Sequence, residues 1–301
     1  IYTLPLPDAL PIWGARGCAR VRTSHSTSMR GEFVDVGGAR LYYYAAGNGG
    51  GGEPIVFLHG FPTSSHIWRD VVPMLPGDRR VVVVDLLGYG RSDRPEGRDL
   101  SIKGHAERVL ALLDVLRISY ATIVGHDLGG GIAQYLAVRY PTRVARLALI
   151  SSVAFHCWPT REVRLVKATL PLTRFLPSLW VTSVLRSDLL RGYSDEQRGG
   201  HSVDMYIRPF EGAEGRATLV EHLDALDPDE TEALPPRLKD LVAPTAIITG
   251  AHDPFLGIIV AEKLHAEIPG SSLEVIPDVR HFVPEVAPQR VADLIADLVA
   301  R

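Results

Sequence analysis

The amino-acid sequence predicts an α/β protein: a mostly parallel central sheet flanked by helices, with a helical cap inserted between its two parts. Three observations carry this expectation. Short runs of Val, Ile and Leu alternate with segments of helical periodicity between residues 55 and 152, as strands buried on both faces do. The alternation lapses from Val153 to about Pro236, where the chain is rich in Leu and Arg and broken by Pro171, Pro177 and Gly192. It then resumes at Thr245-Ala-Ile-Ile248. The expected organisation is a leader over 1–28, a first core part over 29–152, a cap over 153–235 and a second core part over 236–301.

Taken in order, residues 1–28 show no periodicity, and Pro5, Pro7 and Pro11 interrupt their short apolar pieces. There is neither a basic start nor an unbroken apolar centre, so this is not the pattern of a secretory signal. The piece from Tyr2 to Ile12 resembles translated sequencing-adaptor DNA left by assembly of metagenome reads; a disordered arm is the alternative. Met29 is the expected natural start. From Gly31 to Ala46, two apolar runs around Gly37-Gly38 predict a β-hairpin. The glycine run 47–52 opens no helix and is expected to be a surface turn, not a phosphate cradle. Ile55 to Leu58 and Val81 to Val84 predict buried strands, with a helix over Ile67 to Leu75 between them. Apolar residues at helical spacing from Val109 to Leu116 predict a helix over 101–116. Ala121 to Val124 reads as a strand, Ile132 to Arg139 as a helix, and Leu147 to Ser152 as a further strand. In the second part a helix over 259–268, a strand over 273–276 and a closing helix over 287–299 are expected.

Composition narrows the function classes. Of the 301 residues 46% are hydrophobic and 22% charged, and the net charge is −3, so no basic surface marks the chain for nucleic acid. No apolar run is long enough to span a bilayer. Cys18 and Cys157 have no metal spacing and cannot build a disulfide framework, which fits a cytoplasmic protein. Neither a phosphate loop nor a dinucleotide fingerprint is present, and neither cofactor nor metal is expected.

The chemistry is concentrated at the ends of the expected strands. In Gly125-His-Asp-Leu-Gly129, two glycines flank Asp127 in a strand–turn–helix, an arrangement that exposes the central side chain on a strained elbow. Asp253 follows the strand that ends near Thr249, and His281 lies in Asp278-Val-Arg-His-Phe282. Their chain order is nucleophile, acid, histidine. With His59-Gly-Phe-Pro62 and the segment from Asp85 to Asp93, these motifs make the chain from about Met29 onward resemble the α/β-hydrolase superfamily. The resemblance is to its aspartate-nucleophile branch of epoxide hydrolases and haloalkane dehalogenases, and most of all to the epoxide hydrolases.

A carboxylate at the elbow is already ionised at neutral pH and can attack saturated carbon directly. The resemblance implies an alkyl ester on Asp127, hydrolysed by water that His281 activates while Asp253 orients the imidazole. It also implies an oxyanion hole from the backbone N–H groups of Phe61 and Leu128. The expected substrate is small and apolar, contacted by Phe61, Leu128 and Trp68, although Trp68 also reads as core and His126 as structural. The Trp, Asn and Arg side chains that halide- or fluoroacetate-processing relatives place beside the nucleophile are replaced here by Phe61 and Leu128. The leading expectation is therefore an epoxide opened to a vicinal diol, with Tyr206, His222, Tyr193 and His156 as candidate donors to the ring oxygen. A dehalogenase using Trp158 or Trp180 is the alternative; an esterase and a non-catalytic ligand-binding relative stand further off. The partners expected are the substrate and water, in a monomer or homodimer, with no nucleic acid and no membrane.

Overall fold

The structure is a computed structural model; residues 31–159, 161–169 and 178–301 are described. The sequence leader lies outside the described residues, as does Phe175. Eight strands form one sheet: β1 Gly31–Asp35, β2 Arg40–Ala46, β3 Ile55–Leu58, β4 Val81–Val84, β5 Ala121–Asp127, β6 Val144–Ser152, β7 Thr245–Gly250 and β8 Ser272–Ile276. Their spatial order is β1-β2-β4-β3-β5-β6-β7-β8. The β1–β2 and β2–β4 pairs are antiparallel and the rest parallel. The fold class expected from the sequence is the one observed.

Alternation along the strands explains why both faces are covered. Val56, Leu58, Ile123, Leu147 and Ile247 join one apolar cluster, while Ile55, Phe57, Val124, Ile150 and Ile248 join the other. Successive side chains of a strand point to opposite faces, so a strand apolar at every position needs a layer on each side. Helices α1 Ile102–Val115 and α2 Leu128–Arg139 supply the first layer. The second includes the closing helix, Pro288–Ala300, through Val291, Ile295 and Leu298.

Two local expectations are corrected. The helix expected over Ile67 to Leu75 is a pair of 3-10 turns, Ser65–Trp68 and Val72–Met74, because Pro73 has no N–H to continue a helix. The elbow helix begins at Leu128, not Ile132. Gly129, Gly130 and Gly131 are poor helix formers, yet all three are helical because their missing side chains allow close packing.

Chain direction reverses across the sheet at β3: the connection from β3 leads to β4 on one side, and the chain then crosses to β5 on the other. A crevice forms beyond the strand ends at such a switch point. Phe61 follows β3 and Asp127 ends β5, so both border that crevice. After β6 the chain leaves the sheet until β7. The described helices of this insertion include α3 Arg161–Ala168, α4 Ser178–Leu190, α5 Glu196–Ile207 and α6 Gly212–Ala225.

Candidate active site

Asp127 sits at the tip of the elbow with φ 52° and ψ −118°, a conformation that costs free energy for any residue with a Cβ. Close packing enforces it. A Cβ on Gly125 would lie 2.2 Å from the Gly129 carbonyl oxygen, and one on Gly129 would lie 2.3 Å from that of Leu58. The first turn of α2 is therefore pressed against β3 and β5, and the Asp127 side chain is directed beyond the strand ends. Its Oδ2 accepts a hydrogen bond from the Phe61 N–H at 2.9 Å, and the Leu128 N–H also bonds to the carboxylate. These are the two N–H groups that the resemblance implies as oxyanion donors; here they bond to the Asp127 carboxylate itself.

The structure brings Asp127, Asp253 and His281 together. His281 Nδ1 is 2.9 Å from Asp253 Oδ2, and Nε2 is 3.9 Å from Asp127 Oδ1. The other Asp253 oxygen, Oδ1, accepts from the Phe255 and Leu256 N–H groups. Burial alone would push the Asp253 carboxyl up. The charge and hydrogen bond of His281, with the two backbone donors, more than reverse this and hold it at about 2. Burial also opposes the His281 imidazolium, but attraction and hydrogen bonding to Asp253, then attraction to Asp127, raise its pKa above the ordinary value. For Asp127 burial prevails, and its carboxyl is raised despite His281 and the two N–H donors. His126 is fully buried, and its Nε2 lies 3.1 Å from the His281 carbonyl oxygen, supporting the loop from below.

These groups open into a cavity of about 480 Å³ between the sheet and the insertion. Its core side is formed by Phe61, Leu128, Phe255 and Phe282, and its insertion side by apolar residues such as Val181, Leu185, Leu219 and Leu223. Trp180, Ser187, Asp188 and Arg191 also line it from the insertion. Such a mostly apolar space with a few convergent polar groups suits a small apolar ligand.

The expected ring-oxygen donors are placed elsewhere. The hydroxyls of Tyr193 and Tyr206 both donate to Glu285, and neither residue lines the cavity. His222 is also absent from the lining: it packs edge-on against Tyr89 with ring centroids 4.0 Å apart. Burial, then the nearby Arg94 and His59, bring its pKa down to about 3, so the ring is neutral. His156 is exposed and faces Asp229 at 3.6 Å. The substrate contact expected of Trp68 is likewise corrected: it is fully buried against Phe57 in the core. The two tyrosines are thus satisfied by a carboxylate distant in sequence, whereas the ring nitrogens of His222 and Trp68 are buried without a hydrogen-bond partner among the described residues.

Sequence reasoning did not single out Asp188, Arg191, Phe255 or Phe282 of the cavity, or Glu285 behind it. Phe282 and Glu285 fall within His281-Phe-Val-Pro-Glu285, so their proximity to the histidine was available as a signal. Asp188 and Arg191, three apart on the last turn of α4 and just beyond it, pair at 2.8 Å, but nothing in the sequence aims them at Asp127.

The fold and this elbow define a class, and comparison with known proteins agrees: residues 53–288 match the alpha/beta hydrolase fold family, to which the chain belongs. It is a hydrolase of that family. An uncharacterised hydrolase of Bacillus subtilis, YugF, is 26% identical over 255 residues, 82% of this chain and 90% of its own. A haloalkane dehalogenase of Mesorhizobium japonicum is 34% identical over 180 residues, 56% of each chain. The structure of an epoxide hydrolase, CorEH, superposes with a TM-score of 0.77 at 25% identity, covering 90% of this chain and 99% of that one. No helix among the described residues is long and apolar enough to cross a membrane.

Proposed function

We propose that this hydrolase opens a small apolar epoxide to a vicinal diol through an ester on Asp127. The observation that carries the reading is a carboxylate, not a hydroxyl, at the elbow, 3.9 Å from a histidine whose other nitrogen is held by Asp253. Asp127 attacks an oxirane carbon and the ring C–O bond breaks. The ring oxygen, hydrogen-bonded by donors on the insertion side (Trp180, Ser187 or Arg191) in place of those expected from sequence, takes a proton from solvent and becomes a hydroxyl; the proton that His281 later takes from water returns to solvent. The ester has no charge, so His281 loses one of the two carboxylates that hold its proton. Its pKa falls and more of it is neutral, the form that takes a proton from water. Water adds to the ester carbonyl carbon, and the oxyanion forms against the N–H groups of Phe61 and Leu128. Collapse releases the diol and restores the carboxylate.

The similarity to an epoxide hydrolase along nearly all of that protein supports this leaving group. Halide is less well served. Phe61 and Leu128 have no side-chain N–H, and the Trp158 indole already donates to the Thr231 hydroxyl at 2.6 Å. The dehalogenase relative, with Trp180 in the cavity lining, favours halide displacement as the second reading. Incubation with styrene oxide and, separately, with a bromoalkane tests both. Diol without bromide is the expected outcome; bromide without diol replaces the first reading by the second.

A further inference from the structure

Glu285 is a fully buried carboxylate that takes no direct part in the proposed chemistry. It lies in the one-turn helix Val283–Val286, four residues after His281. Four donors converge on it. Oε1 accepts from the hydroxyls of Tyr193, at 3.1 Å, and Tyr206. Oε2 accepts from Ser202 and from Arg69 Nη2 at 3.0 Å. An ionised carboxylate accepts about four hydrogen bonds, so its capacity is used. Three of these donors belong to the insertion, and only Arg69 belongs to the core.

The same junction is joined by the backbone. The N–H groups of His281 and Phe282 both donate to the Gly192 carbonyl oxygen, at 3.1 and 3.3 Å. Arg280 Nη1 donates to the carbonyl oxygens of Arg191 and Tyr193. The Phe282 ring stacks on Tyr193 with centroids 4.3 Å apart, and a Cβ on Gly192 would lie 2.6 Å from that ring. The loop bearing the proposed general base is thus fastened to the insertion on both sides of His281. On the insertion side the attached residues are 191–193, of which Arg191 itself lines the cavity beside Asp188 and Leu189.

We propose that Glu285 is a positioning residue for His281, fixing the imidazole over the Asp127 ester by tying its loop to Tyr193, Ser202 and Tyr206. The inference rests on the proposed ester mechanism. It predicts an unequal effect on the two chemical steps. Attack by Asp127 depends on the elbow, which Glu285 does not touch; hydrolysis depends on where the His281 nitrogen stands. Displacement of a reacting group by about 1 Å costs roughly 100-fold in rate.

The test is Glu285→Gln, which keeps the volume but turns an N–H₂ toward hydroxyl donors, with Tyr193→Phe/Tyr206→Phe as a second variant that leaves the carboxylate in place. With styrene oxide, ester formation measured by rapid quench and intact mass should stay within about two-fold of the parent, while ester decay slows by roughly 10- to 100-fold. The ester should therefore accumulate. Without substrate, the His281 ring titration followed by NMR should move to lower pH as its contact with Asp253 loosens. Equal loss in both steps with an unmoved titration would reduce Glu285 to a structural role, and unchanged ester decay would overturn the inference. Absence of any ester in the parent would instead defeat the proposed mechanism, leaving the NMR titration to judge the positioning.

Discussion

The cavity has two sides, and they are held by different means. The core side is fixed through backbone: β3 and β5 are adjacent parallel strands, the elbow has no room for a Cβ at Gly125 or Gly129, and the Asp127 carboxylate is held by main-chain N–H groups. The insertion side is fixed largely through side chains. Tyr193, Ser202 and Tyr206 meet Glu285, while Trp158 and Thr231 bond within the insertion itself. The proposed nucleophile is on the backbone-held side, whereas the loop of the proposed base, His281, is bonded to Gly192 of the insertion. The side that shapes the ligand space is attached through Glu285, through Glu230, which accepts from the Ile102 and Lys103 N–H groups, and through the Gly192 carbonyl oxygen, contacts that leave the elbow untouched.

The most severe break of the core side is Asp127→Asn. It keeps the shape and removes the proposed nucleophile, and turnover should fall on the order of 10⁴-fold or more, as loss of a covalent nucleophile does. Steady-state diol formation checks this. His281→Ala should leave the attack intact and stop the second step, so that one equivalent of ester accumulates and is seen by mass spectrometry. Gly129→Ala tests the packing alone: its Cβ would meet the Leu58 and His59 carbonyl oxygens at 2.3 and 2.6 Å. An overpacking cost of about 3 kcal/mol is expected in denaturant unfolding. On the insertion side, Trp158→Phe removes one buried hydrogen bond and should cost only about 1 kcal/mol. Diol formation should survive it.

Acid sensitivity sharpens the comparison from within the core side. On the proposed mechanism His281 is a base when neutral, so ester hydrolysis should be lost as pH falls through its pKa. That pKa is raised in the free enzyme by Asp253 and then Asp127; in the ester only Asp253 remains charged. The acid limb of the ester-decay rate should therefore lie below the His281 titration of the free enzyme. Stability has a separate limb. The folded pKa of Asp253, about 2, is below its unfolded value of about 3.9. The contribution of this carboxylate is present above the unfolded value and is lost as pH falls through about 2.

The same contrast explains what could be read from the sequence. The strands, the elbow and the three strand-end residues were legible because each depends on neighbours within a few positions: an apolar run, two glycines, a turn. Local reading erred where glycines were needed for close approach and so started α2 at Leu128, or where Pro73 broke a helix into turns. The insertion was legible only as helical. Tyr206 and Tyr193 have the chemistry of ring-oxygen donors, but their hydroxyls are committed to a residue 79 and 92 positions away. No periodicity carries that information. Trp68 had two readings for a related reason: an aromatic residue near a motif packs into a core as readily as it borders a ligand, and here it packs into the core.

Turnover of styrene oxide in heavy-oxygen water tests the central claim most directly. If Asp127 is alkylated and water then attacks the ester carbonyl, the first diol from excess enzyme takes its new oxygen from Asp127 and is unlabelled. After many turnovers the peptide bearing Asp127 carries the heavy isotope. A labelled diol in that first turnover, with an unlabelled Asp127, would mean that water attacks the substrate itself, and would contradict the account.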